Sequence, residues 1–167
     1  MRLYMLGGAA FLWLHVHQCG GRSQPTPKGS ATDTLYISVA RTGCYGRCPI
    51  DKVELLPDGT VRYYGERFVD RVGVYTRRIS DKERSELYQL LREGRFEAYK
   101  DVYDNPYITD LPSLILHYKM GGQEKKITCR AQCPPDLPDK VEKIRAYLAE
   151  QGDFQMIEGP QSDSDAD

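Results

Sequence analysis

Five cysteines are present, and four of them form two pairs of equal spacing, Cys44/Cys48 and Cys129/Cys133. Sulfurs so arranged can close disulfides, hold a metal or attack as thiolates. Four cysteines allow three pairings, and spacing alone leaves them open. An extended four-residue step would hold the Cα atoms of Cys44 and Cys48 about 13 Å apart, against about 7 Å for the widest disulfide, so bonding them requires the chain to turn back. Gly43 and Gly46 permit that turn. On the chain-entropy account a five-residue ring contributes about 2 kcal/mol, and a crosslink between the two loops about 4.5 kcal/mol. Four thiolates could instead build a closed tetrahedral zinc site. Redox enzymes more typically place two residues between their cysteines and depress a thiol pKa, whereas three residues stand between these.

Other chemistry finds less support. Asp101, Asp104 and Asp110 fall close together, but their spacing does not fit the twelve-residue calcium loop; turn and cap roles around Asn105-Pro106 suit them better. His117 is the sole histidine once the leader is set aside, so a serine, histidine and acid triad is not expected. Glu54, Glu66 and Asp70 cluster near the first hairpins, where charges on an exposed sheet face are the ordinary explanation. The reading therefore assigns no catalytic residue, no metal and no cofactor. Net charge is −1, with Lys and Arg spread along the chain, so nucleic acid is not expected as a partner.

The start of the chain bears on the fate of the sulfurs. Met1-Arg2 gives a positive beginning, and Leu3 to Leu14 an apolar run of the length expected in a secretory leader. It is too short to span a bilayer, which takes about 20 apolar residues. Cys19, followed by Gly20-Gly21, sits where the leader ends and resembles the lipidated cysteine of bacterial lipoproteins; Val16 fits that pattern and Gln18 does not. Residues 1–19 are thus expected to be a signal segment, with Cys19 the lipidation site and membrane anchor. Cleavage near Gly21 with release is the competing reading. Residues 20–33 are expected to form a flexible tether, residues 34–152 a single domain, and residues 153–167 a disordered acidic tail. Outside the reducing cytosol, oxidised cysteines are normal.

The domain's elements follow from periodicity. Leu35, Ile37 and Val39 alternate with polar residues, as in a half-buried strand. Val53 and Leu55 lead into Pro57-Asp58-Gly59 and out through Val61 and Tyr63, a hairpin signal. A further run, Val72 to Ile79, alternates again. At Ser80 the period changes: Ser80 and Glu83 form a capping box, Leu87, Leu90 and Leu91 one apolar face, and Gly94 the expected stop. Leu114, Leu116 and Tyr118, then Gly121-Gly122, then Lys125, Ile127 and Cys129 read as another hairpin. A last helix carries Leu137, Val141, Ile144 and Leu148, with Pro138 in its first turn and Gly152 at its end. The expected fold is α+β, an antiparallel sheet of about five or six strands with two helices packed on one face, in the rough order β-β-β-α-β-β-α.

The segment Thr42-Gly43-Cys44-Tyr45-Gly46-Arg47-Cys48-Pro49, with the Pro57 to Gly65 hairpin, the Phe96 to Tyr103 segment and Thr109-Asp110-Leu111-Pro112, resembles the bacterial domain of unknown function 6438. The likeness covers roughly residues 35–150. It implies an exported or lipid-anchored protein and names no reaction. Because the resemblance centres on the first cysteine pair by itself, it also implies local rings, Cys44 with Cys48 and Cys129 with Cys133. The expectation is then a non-enzymatic envelope domain with a binding or structural role, the partner in the binding case being an envelope protein or a cell-wall component. Tyr45 and Arg47, of types favoured at binding hot spots, are the candidate binding residues. The alternative is a thiol-active or zinc-dependent protein using the Cys44/Cys48 loop.

Overall fold

The computed structural model describes residues 34–159. The stretches expected to be a signal segment (residues 1–19, with Cys19 as lipidation site) and a tether (residues 20–33), together with residues 160–167, lie outside the described residues. Strand β1 (Tyr36–Arg41) directs Ile37 and Val39 to one face, β2 (Ile50–Leu55) sets Leu55 and Val53 beside them, and β3 (Thr60–Arg67) adds Val61 and Tyr63. The turn between β2 and β3 closes as its residues dictate. The Leu56 N–H donates to the Thr60 carbonyl at 2.8 Å, Asp58 Oδ1 accepts from the Thr60 N–H at 2.9 Å, and Gly59 takes φ 86°. Strand β4 (Gly73–Arg78) returns antiparallel to β3.

Helix α1 (Asp81–Gly94) begins with the capping box intact: the Glu83 N–H donates to Ser80 Oγ at 3.3 Å and the Ser80 N–H donates to Glu83 Oε2 at 2.8 Å. Its end departs from expectation. Gly94 is still helical, and the left-handed residue is Arg95, at φ 49°. Gly94 is needed for another reason, since a Cβ there would lie 2.1 Å from the Phe96 ring, which folds back over the helix end. After a 3-10 turn at Phe96–Ala98 come β5 (Val102–Tyr103), β6 (Leu114–Met120) and β7 (Gln123–Cys129), the last two joined by Gly121 and Gly122, both at positive φ. Helix α2 (Leu137–Glu150) and β8 (Gln155–Glu158) complete the chain's described part.

The α+β class holds, but the sheet is larger than expected: eight strands in the order β5-β7-β6-β1-β2-β3-β4-β8. All neighbours are antiparallel except β5 and β7, which run parallel. Strand β5 has two residues and is held by its neighbour's backbone, with the Thr128 N–H donating to the Asp101 carbonyl and the Arg130 N–H to the Tyr103 carbonyl. Strand β8 falls in the stretch read as acidic tail. An arginine brings it back: the Arg71 guanidinium lies 4.6 Å from the Phe154 ring centre and 4.8 Å from that of Tyr63, which ties the segment after α2 to the sheet.

Leu87 and Leu91 of α1 and Leu137, Val141, Ile144 and Leu148 of α2 join the same buried cluster as Ile37, Val39, Val53, Leu55, Leu116 and Ile127. The two helices therefore cover one face of the sheet. No helix among the described residues is long and apolar enough to cross a membrane.

Candidate functional site

The loop between β1 and β2 turns back sharply enough to close. Cys44 and Cys48 are bonded, with Cα atoms 5.7 Å apart. Gly46 supplies the reversal at φ 154°, and its N–H donates to the Cys44 carbonyl at 2.9 Å. Gly43 serves differently from the turn-forming role read for it. A Cβ there would lie 3.1 Å from Ile50 Cδ1, so it lets the loop's base pass close to β2.

The ring is also fastened from outside. The Thr42 N–H donates to the Ser113 carbonyl at 3.0 Å, the Ser113 N–H to Thr42 Oγ1 at 2.8 Å, and the Tyr45 N–H to the Asp110 carbonyl at 3.1 Å. Residues 109–112 are thereby brought against the cysteine loop. Both candidate binding residues project from this frame. Tyr45 is 93% exposed, as is Tyr107 on the neighbouring loop, with Ile108 and Leu111 also exposed beside it. Arg47 lies over the ring of Phe68 at 5.5 Å, and Arg67 over the same ring at 5.3 Å. Phe68 and Arg67 went unnoticed in the sequence, where nothing local marks a ring that two arginines will share.

Beneath the loop, β1 and β2 hold a buried charge cluster. Asp51 accepts from Arg41 Nε at 2.7 Å and Nη2 at 2.5 Å, from the Tyr63 hydroxyl at 3.2 Å and from Arg145 Nη1 at 3.4 Å. Burial, reinforced by the Asp51 charge, pushes the Tyr63 hydroxyl up to about 12. This cluster pins the base of the loop to α2, because Arg145 stands on that helix.

The second ring, Cys129–Cys133, closes with Cα atoms 5.8 Å apart between β7 and α2, and Cys129 is buried in the core. Cys48, Cys129 and Cys133 all border one largely apolar groove of 450 Å³, together with Pro49, Leu114 and Pro138. The two disulfides thus sit at the same end of the molecule.

The remaining candidates are dispersed. Asp101 pairs with Lys125 at 2.6 Å and Asp104 with Arg130 at 2.6 Å, while Asp110 contributes its backbone carbonyl to Tyr45. Arg130 holds the Asp104 carboxyl below its ordinary range. His117 lies beside Glu124 at 2.7 Å and edge-on to Tyr36 at 5.3 Å, on the face away from the helices. Glu54 is engaged by the Tyr64 hydroxyl and Lys52, each at 2.8 Å. Glu66 lines a groove of 1070 Å³ at the ends of β1 to β4, a groove that Glu54 and Asp70 do not line. No group of three or more metal-ligating side chains comes together among the described residues.

Two disulfides in so small a domain indicate an oxidising, extracellular environment. A search of curated proteins returns no match. A family model described as a domain of unknown function (DUF6438) matches residues 35–150, from the buried Leu35 just before β1 to the end of α2. The chain belongs to the domain of unknown function 6438 family.

Proposed function

We propose that this chain is an exported bacterial envelope domain, held to a membrane through a lipid on Cys19. On this reading its role is non-enzymatic: it binds an envelope protein or a cell-wall component through the Cys44–Cys48 loop. One observation carries the reading. Tyr45 and Arg47 stand exposed on a backbone held by a disulfide and three outside hydrogen bonds, next to the exposed Tyr107, Ile108 and Leu111. A surface fixed in advance loses little entropy on binding, and tyrosine and arginine are the residue types that most often dominate such contacts. The test is capture of partners from solubilised envelopes by wild type and by the Tyr45→Ala/Arg47→Ala double variant. The variant should lose them, and equal capture overturns the proposal. Intact-mass analysis with and without reduction checks the anchor, expected as loss of residues 1–18 and acylation of Cys19.

A second reading, a thiol-active or zinc-dependent protein using Cys44 and Cys48, draws on the groove that Cys48, Cys129 and Cys133 border. Free thiols counted under denaturing conditions, with bound zinc measured on the same sample, separate the two. Titratable domain thiols or stoichiometric zinc support the second reading and count against the first.

A further inference from the structure

Three prolines far apart in the sequence meet at the groove beside the cysteine loop. Pro49 follows the first ring, Pro112 ends the 109–112 segment latched against that ring, and Pro138 stands in the first turn of α2. With Leu114 and cysteines of both disulfides they line a largely apolar space of 450 Å³. That volume falls in the lower part of the range of about 300–1,000 Å³ found for ligand sites, and it admits one or two side chains. Pyrrolidine faces and polarisable sulfur are surfaces against which aromatic rings pack well. A sugar is poorly matched, because its hydroxyls would leave water for a surface that is mostly apolar.

Charge narrows the choice further. Four charged side chains line the groove, Arg41, Arg130, Asp139 and Glu142. Three of them have partners: Arg41 pairs with Asp51 at 2.5 Å, Arg130 with Asp104 at 2.6 Å, and Glu142 with Arg145 at 2.6 Å. Asp139 is exposed in the first turn of α2 and makes no ion pair or side-chain hydrogen bond among the described residues. The groove therefore keeps one uncompensated carboxylate on its exposed side. Such a charge attracts a cation, and it repels the carboxylate of a fatty acid or the headgroup of an anionic lipid.

We infer that this groove seats an aromatic side chain and an adjoining lysine or arginine from an exposed segment of a partner protein, with the ring against the prolines and the cation at Asp139. The inference rests on the reading of the neighbouring cysteine loop as a binding surface and gives its partner a class, a protein with an aromatic and basic anchor. Because Cys48 and Pro49 belong to both the loop and the groove, a segment lying across Tyr45 and Arg47 continues into the groove without crossing another element.

The test uses N-acetyl-tryptophanyl-lysinamide as probe, titrated into the full chain and followed by NMR. The methyl signals of Leu114 should shift and saturate, and added salt should weaken the binding. Asp139→Asn should weaken it by roughly threefold to fivefold. Asp139→Lys should reverse the preference, so that the corresponding tryptophanyl-glutamate amide binds more tightly than the lysine probe. Asp139 is exposed, and thermal unfolding of both variants verifies that they fold. Three results would each overturn the inference: no saturable shift at Leu114, equal binding by wild type and both variants, or a response at Leu114 to an N-acetylglucosamine oligomer or to decanoate and none to the peptide. The probe reads the groove alone, whereas envelope capture reads Tyr45 and Arg47, so the failure of either leaves the other standing.

Discussion

The two disulfides close rings of the same size, with sequence separation 4 in each, yet their removal should not cost the same. Chain entropy assigns each ring about 2 kcal/mol. The surroundings differ: Cys44 stands in a loop whose neighbours Tyr45, Gly46 and Arg47 are exposed, whereas Cys129 lies in the core at 6% exposure. Replacing Cys44 and Cys48 by Ser removes the entropic contribution and leaves hydroxyls within reach of water. Replacing Cys129 and Cys133 by Ser also buries a hydroxyl beside the core, which adds about 1–3 kcal/mol when no partner is found. The expected losses are therefore about 2 kcal/mol for the first pair and about 3–5 kcal/mol for the second. Urea unfolding measures both. At a slope of about 1.5 kcal/mol/M the midpoints fall by roughly 1.3 M and 2–3 M respectively. A Cys129→Ala/Cys133→Ala variant isolates the hydroxyl, and it should recover most of the difference. Equal losses for the two Ser pairs, or an Ala pair no better than its Ser counterpart, would refute this reasoning.

Three further outcomes follow from the same contacts. Asp51→Ala leaves Arg41 and Arg145 without their shared carboxylate and should cost about 3–5 kcal/mol, read as a drop in thermal midpoint; Asp51→Asn, which keeps the shape, should cost less. Gly94→Ala forces a methyl into the Phe96 ring and should cost about 1–3 kcal/mol in the same assay, although Ala is the better helix former. Tyr63 has its folded pKa raised from 10 to about 12, so the fold favours the protonated hydroxyl. Its contribution to stability is complete below pH 10 and is lost as pH rises toward 12. Alkaline denaturation of Tyr63→Phe should lack that component, and superimposable wild-type and variant curves above pH 10 would contradict it.

What the sequence discloses is what neighbouring residues decide among themselves. Ile37 and Val39, the Pro57-Asp58-Gly59 turn and the Ser80/Glu83 box act within a few residues, and each stands where periodicity and turn chemistry place it. What escaped is decided across the fold. Strand β5 is two residues long and exists because β7 runs beside it, and β8 has only exposed residues, so its pattern cannot signal a buried face. Gly94 reads as a helix stop because glycine commonly is one, whereas the ring that requires it folds back only in three dimensions. The site is similarly divided. Tyr45 and Arg47 are conspicuous between two cysteines, but the shared ring of Phe68 and the latch from Ser113 and Asp110 join residues far apart in the chain. Spacing left the cysteine pairing open because any of three pairings satisfied it; the backbone reversal at Gly46 closes the first ring locally.

The position of β1 has a mechanical consequence. This strand lies between two antiparallel neighbours, its first residue opposite Lys119 and its last opposite Asp51 and Leu114, and it leads directly into the Cys44–Cys48 ring. A tension applied at residue 34 and resisted at Tyr45 is directed along the strand, so the rungs on both sides share the load together instead of opening one after another. Hauled from its near end while gripped at its far one, the sheet resists as a cable does and not as a zip.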